Sequence, residues 1–352
     1  MDNEKIAMKK LLKFVQKLMN KNNKKRYLSC KWLEHGIIFD HANILRVCCA
    51  QSHEGKGRYV LKEDYKGEPI DWDDIFAQKR IQRDVQRNGG TFDACKGCIF
   101  FEYGEWDKKD YIDMLLLTHW IHCNSKCVYC PAIRDEELIK YNQHYNVLPV
   151  IKDMMKRKIL SKNAFVSIAG GESTIYPEFE ELLHALLDYG ISDIVINTSG
   201  IKYSPAISKG LEQGKVKILI SLDAGTKETH KRLKLVDSFD DVVENLEKYA
   251  NSQTRDKHLV STKYIIVPGI NDNKEEVNEW LELNKRLGIN PLSLDIDIGW
   301  FHENNDKVPQ EINELIVYSK QRAKELHQEL VLYDRAFMAH NQYKKELEKV
   351  ID

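Results

Sequence analysis

The 352-residue sequence predicts an α/β fold, a partial (βα)6 barrel of the TIM type preceded by a small Cys-rich domain. Three observations predict it. From Tyr111 onward, short apolar runs alternate with stretches of helical periodicity. Four of those runs end in a polar or glycine-bearing motif, where parallel strands present their carboxyl ends to ligands. Before Tyr111, five cysteines stand in a stretch without that alternation. Strands are expected at 113–117, 164–168, 193–197, 216–221, 260–267 and 292–298, and the clearest helices at 178–187, 239–249, 274–287 and 310–326. Six strands with crossover helices form right-handed parallel units and are too few to close an eight-stranded barrel.

The chain opens, over residues 1–28, with a basic amphipathic helix. Lys5, Lys9, Lys10, Lys13, Lys17, Lys21, Lys24, Lys25 and Arg26 face only Asp2 and Glu4, while Met8, Leu11, Leu12, Val15, Leu18 and Met19 recur at helical spacing. Its apolar face is expected to dock on the fold; the alternative is a helix lying on a membrane surface of anionic lipid. Residues 29–108 form the Cys-rich domain, with Cys30, Cys48, Cys49, Cys95 and Cys98. Cys30, one of the adjacent pair Cys48 and Cys49, Cys95 and Cys98 complete four thiolates, a set that suits an auxiliary [4Fe-4S] cluster or a structural zinc. Residues 50–94, with Lys56, Arg58, Asp71, Asp73 and Asp74, read as a solvated charged surface.

The barrel is assigned to residues 109–334. Just after its first strand comes a C-x3-C-x2-C run, Cys123, Cys127 and Cys130, with Tyr129 before the last thiol. Three thiolates on a four-iron cluster keep one iron open to a small molecule, whereas structural metal sites close their coordination with protein ligands. His119 and His122 flank the triplet and read as packing residues beside a metal loop. Gly170-Gly171-Glu172, Asn197-Thr198-Ser199-Gly200, Ser221-Leu222-Asp223 and Val267-Pro268-Gly269-Ile270-Asn271-Asp272 follow at successive strand ends. A short strand at 330–333 and a charged helix over 335–352 complete the chain.

In this order the motifs resemble the radical S-adenosylmethionine (radical SAM) superfamily over roughly residues 111–333. The resemblance implies that Cys123, Cys127 and Cys130 hold a [4Fe-4S] cluster whose fourth iron is chelated by the methionine part of S-adenosyl-L-methionine. It implies that Gly170, Gly171 and Glu172 receive the methionine amino group, the glycines by close backbone approach and the carboxylate as acceptor. Ser221 and Asp223 fall at the ribose or methionine end, Ile266 and Val267 at the adenine, and Tyr129 beside it. Asn197 and Ser199 join the cofactor-binding candidates by strand-end position. One departure is Lys234, where many relatives carry an arginine; it is a point charge for the methionine carboxylate, without the bidentate fork.

The activity implied is generation of a 5'-deoxyadenosyl radical for hydrogen abstraction, fed by an electron donor such as flavodoxin or ferredoxin. The cysteine-rich start resembles SPASM or Twitch auxiliary-cluster modules, except that those usually follow the barrel. Members with auxiliary clusters often modify peptide or protein substrates, and that is the expected substrate class. The alternative is oxidation or epimerisation of a sugar-type or lipid-linked small molecule; a non-catalytic binding protein on the same fold is a third reading. Whichever of Cys48 and Cys49 does not ligate is a small buried hydrophobe or a hydrogen donor to a product radical.

Composition sets the remaining bounds. A hydrophobic fraction of 42% supports a sizeable core, and a net charge of -1 argues for no nucleic-acid partner. Eight cysteines without a signal peptide or membrane-spanning run point to a cytoplasmic, reducing setting.

Overall fold

The apolar runs of the sequence become consecutive strands of one sheet. The computed structural model describes residues 25–48, 60–91, 95, 98, 100–106, 109–130, 144–254, 258–305 and 307–332. Of the basic helix expected over 1–28, residues 1–24 lie outside the described residues, as does the expected helix at 335–352. Residues 25–28 belong to a strand, not to that helix: Arg26 and Leu28 are exposed and Tyr27 and Ser29 buried, a period of two.

The cysteine-rich segment contains β1 (Lys25–Ser29), α1 (Lys31–His35), β2 (Gly36–Asp40), β3 (Ile44–Arg46), β4 (Val60–Lys62), α2 (Trp72–Arg87) and β5 (Glu102–Trp106). β1 and β5 form a two-stranded antiparallel ribbon. β2 is buried along its whole length, with Ile37, Ile38 and Phe39 fully enclosed, because it pairs with β3 on one side and runs parallel to β6 (Ile112–Thr118) on the other. The sheet therefore runs across the expected boundary at residue 108. α2 starts at Asp71, whose carboxylate accepts the N–H groups of Asp73 and Asp74. One face of α2 is not the solvated surface expected: it buries Trp72, Ile75 and Phe76, and with them Lys79, Gln82, Arg83 and Gln86.

Beyond β6 the chain adds β7 (Leu160–Ile168), β8 (Asp193–Thr198), β9 (Val216–Ser221), β10 (Val260–Ile266), β11 (Leu292–Ile296) and β12 (Leu330–Leu332), each parallel to its predecessor. The order β12-β11-β10-β9-β8-β7-β6-β2-β3-β4 is that of a partial TIM-type barrel with a mixed extension at its first edge. Alternate residues such as Ile194, Ile196, Ile218 and Ile220 are buried, and Leu182, Leu183, Leu246, Trp280 and Leu281 pack in the same core.

The crossover helices are α3 (Leu148–Lys156), α4 (Phe179–Tyr189), α5 (Pro205–Glu212), α6 (Lys227–Lys234), α7 (Phe239–Ser252) and α8 (Lys274–Arg286), followed by α9 (Ile298–Glu303) and α10 (Gln310–Glu325). α4, α7, α8 and α10 coincide with the expected helices. The helix over Lys227–Lys234 reads KETHKRLK, with a single large aliphatic residue, so its pattern carried little signal; Thr226 caps it by accepting from Thr229. Among the described residues, no helix is long and apolar enough to cross a membrane.

Candidate active site

Loops leaving β6 to β10 meet at the carboxyl end of the sheet, and hydrogen bonds stitch them together. After β6 the chain runs without regular structure to the three cysteines. Ser125 Oγ lies 3.2 Å from Cys123 Sγ and 3.6 Å from Cys127 Sγ, and Cys130 N–H donates to Cys127 O at 3.0 Å. The triplet thus shares one tight loop. Burial pushes the Cys123 thiol up, so thiolate ligation there is coupled to proton release.

The loop is held from two sides. Gly171 N–H donates to Trp120 O (2.7 Å) and Glu172 N–H to His122 O (2.8 Å), fastening the β7 loop to the residues before Cys123. Gly170 has φ +115, and a Cβ on Gly171 would lie 2.3 Å from His122 O. The glycines are therefore needed by the loop-to-loop contact itself. On the other side, Lys126 and Val128 donate to Lys234 O and Leu233 O, both at 2.9 Å, docking the cysteine loop on the end of α6.

Glu172 is buried, and its acceptor positions are taken by protein donors. Oε1 receives Thr174 N–H (3.0 Å), Thr174 Oγ1 (2.6 Å) and Thr198 Oγ1 (2.7 Å), and Oε2 receives Ser199 N–H (2.5 Å). It clamps the β7 loop to the β8 loop. Ser199 Oγ reaches Asn124 Oδ1 in the cysteine loop at 3.4 Å, whereas Asn197 contributes its carbonyl to Ser173 Oγ, also at 3.4 Å.

Tyr129, Asp223 and Lys234, far apart in sequence, form one cluster. Lys234 Nζ donates to Tyr129 Oη at 2.6 Å, and both groups donate to Asp223 Oδ2. Asp223 Oδ1 accepts Ile265 N–H at 2.8 Å. Burial opposes the charge on Lys234, but Asp223, with Cys127 and Cys123 adding, raises its pKa on balance. Burial pushes the Tyr129 phenol well above its ordinary range, with Asp223 adding to the shift. Val267 packs with Ala224, Leu233 and Ile265 against Tyr129, Val128 and Ile270, an apolar patch beside this cluster. The Ile266 side chain is instead enclosed in the main core, away from this patch. Ser221 ends β9, paired in register with Lys263.

Two positioning residues lie outside the candidates read from the sequence. Asn271 is fully buried: its Nδ2 donates to Asp223 O and Ile265 O, both at 2.8 Å, and its Oδ1 accepts Val267 N–H at 2.6 Å. Glu276 accepts from Gly225 N–H, Thr226 N–H, Thr226 Oγ1 and Thr229 Oγ1, holding the turn into α6. Asn271 was visible as part of a strand-end motif, but its side-chain role was not.

Three thiols on one loop with glycine backbone packed beside it are the donor set of a three-cysteine iron–sulfur site. Residues 117–283 match the Radical SAM superfamily. The chain carries a radical SAM domain.

Members of this superfamily use a [4Fe-4S] cluster and S-adenosylmethionine. The chain is similar to a probable GTP 3',8-cyclase of Saccharolobus islandicus, 30% identical over 180 residues, covering 51% of this chain and 54% of that relative. It spans about half the length of the curated relatives it matches. Streptococcus suis SuiB bound to its precursor peptide SuiA superimposes with a TM-score of 0.53 at 13% identity, covering 83% of this chain and 60% of that one. The S-adenosylmethionine-bound form of SuiB gives 0.51 at 13% identity, covering 77% and 58%. At these identities the likeness concerns the fold.

Outside the radical SAM domain, Cys30 is buried and Cys48, Cys95 and Cys98 are partly buried. Cys49 lies outside the described residues. His119, beside the radical SAM cysteine loop, is buried in an aromatic cage with Tyr145 and Tyr176. Burial lowers its pKa to about 3, with His144 adding to the effect.

Proposed function

We propose that this chain is a radical SAM enzyme that abstracts hydrogen from a peptide or protein substrate. The observation that carries the enzymatic reading is the convergence of the Cys123, Cys127 and Cys130 loop, the Gly170–Glu172 loop and the Tyr129–Asp223–Lys234 cluster at one end of the sheet. Cys123, Cys127 and Cys130 would hold the cluster, with the buried Lys234 ammonium in electrostatic reach of Cys127 and Cys123. When bound, the cluster and S-adenosylmethionine supply an electron and a 5'-deoxyadenosyl radical.

The protein's own part is positional. Asp223 and Tyr129 fix the Lys234 ammonium and thereby limit its reach toward a methionine carboxylate. Glu172 holds two strand-end loops together, and the apolar patch of Val267, Val128 and Ile270 offers a water-poor surface beside Tyr129. Likeness of most of the chain to a peptide-bound relative supports the peptide class.

A second reading is favoured by the barrel's resemblance to probable GTP 3',8-cyclases: a nucleotide, hence sugar-type, substrate. The test is anaerobic reconstitution followed by assay of 5'-deoxyadenosine, with wild type beside a Cys123→Ala, Cys127→Ala, Cys130→Ala variant. Cleavage in wild type alone supports the enzymatic reading, and absence of cleavage in a cluster-loaded wild type overturns it. Candidate peptides and GTP are then compared as ligands by thermal shift, since only a binder of the folded state raises the midpoint. A midpoint raised by GTP and by no peptide would overturn the peptide reading.

A further inference from the structure

The face of the sheet turned away from the helices is chemically two-sided. On β10, Thr262 and Tyr264 face α8: the Trp280 indole N–H donates to Thr262 Oγ1 at 3.1 Å, and the Tyr264 and Trp280 rings lie 5.1 Å apart. Alternation therefore turns Ser261, Lys263 and Ile265 to the inner face of the barrel. Ile265 agrees, since it packs in the patch that meets Tyr129 of the cysteine loop. The register then fixes the neighbours. Ser221 of β9 and Ser293 of β11 stand on either side of Lys263, and Asp295 stands beside Ile265. Lys263 is two residues down the strand from Ile265, hence about 7 Å deeper on the same wall. Its carbonyl accepts Asp223 N–H at 3.1 Å, which places it next to the Tyr129–Asp223–Lys234 cluster.

Burial separates the two faces. Ile220, Thr262, Tyr264 and Leu294 on the helix side are fully enclosed, whereas Ser221, Lys263 and Ser293 are half-buried. In a closed barrel the inner face is filled by bulky branched side chains. Here the inner face of β6 and β7 carries Met114, Leu116 and Phe165, all half-buried, while toward their carboxyl ends β9 to β11 carry Ser221, Lys263, Ser293 and Asp295. The core of the fold lies on the helix side, so packing gives no reason for a lysine at this position, and partial removal of its charge from water is costly. Recognition of an anionic group gives such a reason.

We propose that Lys263 is a specificity-determining residue that holds the carboxylate of an acidic peptide side chain on the inner face of the barrel, with the Ser221 and Ser293 hydroxyls beside it and Asp295 accepting a backbone N–H of the same peptide. This inference rests on the peptide reading of the radical SAM site and narrows it. One ammonium between two hydroxyls suits one carboxylate. A polyphosphate would bring several negative charges against Asp295 on the same wall. Met114, Leu116 and Phe165 are left for the apolar part of the substrate.

The test uses the full chain, reconstituted anaerobically and supplied with S-adenosylmethionine. Two pools of capped hexapeptides are offered, randomised over uncharged residues except at one fixed position, which is glutamate in one pool and glutamine in the other. Peptide retained by the protein is quantified by mass spectrometry. Wild type should retain the glutamate pool roughly tenfold better. Lys263→Arg should keep that preference and Lys263→Met should lose it. Lys263→Glu should transfer it to a third pool with lysine at the fixed position, a reversal that loss of folding cannot produce. Asp295→Asn should weaken retention of the glutamate and glutamine pools alike and raise the binding of GTP.

Equal retention of the glutamate and glutamine pools by wild type overturns this inference and leaves the peptide reading standing, whereas retention of neither pool overturns both. A glutamate preference that survives in folded Lys263→Met overturns the role of the lysine. So does a Lys263→Met variant whose affinity for S-adenosylmethionine, measured by equilibrium dialysis, falls as far as its affinity for peptide, because the lysine then serves the cofactor.

Discussion

Glu172→Gln is expected to destabilise the protein in the absence of any S-adenosylmethionine, because the carboxylate's work is done between loops. The amide keeps the shape of the acid but has one acceptor instead of two. In the better orientation its oxygen replaces Oε1 and keeps the donors from Thr174 and Thr198; its nitrogen then faces Ser199 N–H, donor against donor. Losing one charge-assisted bond costs about 1.5–3 kcal/mol, and the three that become neutral each lose roughly half a kcal/mol. Relief from burying a charge offsets part of this, leaving a net loss of about 2–3 kcal/mol. Anaerobic urea denaturation without S-adenosylmethionine, compared with wild type at equal m, measures it. A loss below roughly 0.5 kcal/mol, together with weakened S-adenosylmethionine binding, would refute the clamp and return Glu172 to the role of a direct ligand.

Gly171→Ala would push a Cβ to 2.3 Å from His122 O and should cost about 1–3 kcal/mol while loosening the cysteine loop; wild-type iron content and stability would contradict this. Lys234→Met leaves the buried Asp223 carboxylate with only Tyr129 and Ile265 N–H as donors, and a loss of about 3–5 kcal/mol is expected by denaturation. A loss under about 1 kcal/mol would show that the pair is not formed. His230 is buried and its pKa is lowered to about 4 by burial, with Lys234 adding and Asp223 and Asp237 opposing. The folded state therefore binds fewer protons than the unfolded chain below the ordinary histidine value of about 6.5. Stability should fall by about 3 kcal/mol as pH drops from about 6.5 to 4. His230→Phe should flatten that slope, and an unchanged slope would exclude the residue as its cause.

Local signals were legible where one residue type is needed for one reason. The strands at 216–221 and 193–197 appear as read, because their buried residues recur at alternate positions with less buried residues between them, the period of a strand. The cysteine triplet was visible because ligand spacing within one loop is a sequence property. Lys79 was not: a lysine in a helix rich in Asp, Arg and Gln reads as solvated, and only the packing of α2 on α1 encloses it. The facing of the Ile266 side chain was illegible for a related reason. Neighbours along a strand point to opposite faces, so a strand-end position by itself does not tell which of Ile266 and Val267 meets the site.

The sequence by itself determined the alternation of strands and helices, the three-thiol loop and the order of the strand-end motifs, since each depends on periodicity or spacing over a few residues. Tertiary structure decided who partners whom. It joined Tyr129, Asp223 and Lys234 across 105 residues of chain, filled the Glu172 carboxylate with donors from two loops, and carried the sheet through β2 into the cysteine-rich segment. Such pairings depend on burial and register between distant segments, and a buried polar group takes whatever partner the packing brings within hydrogen-bond distance.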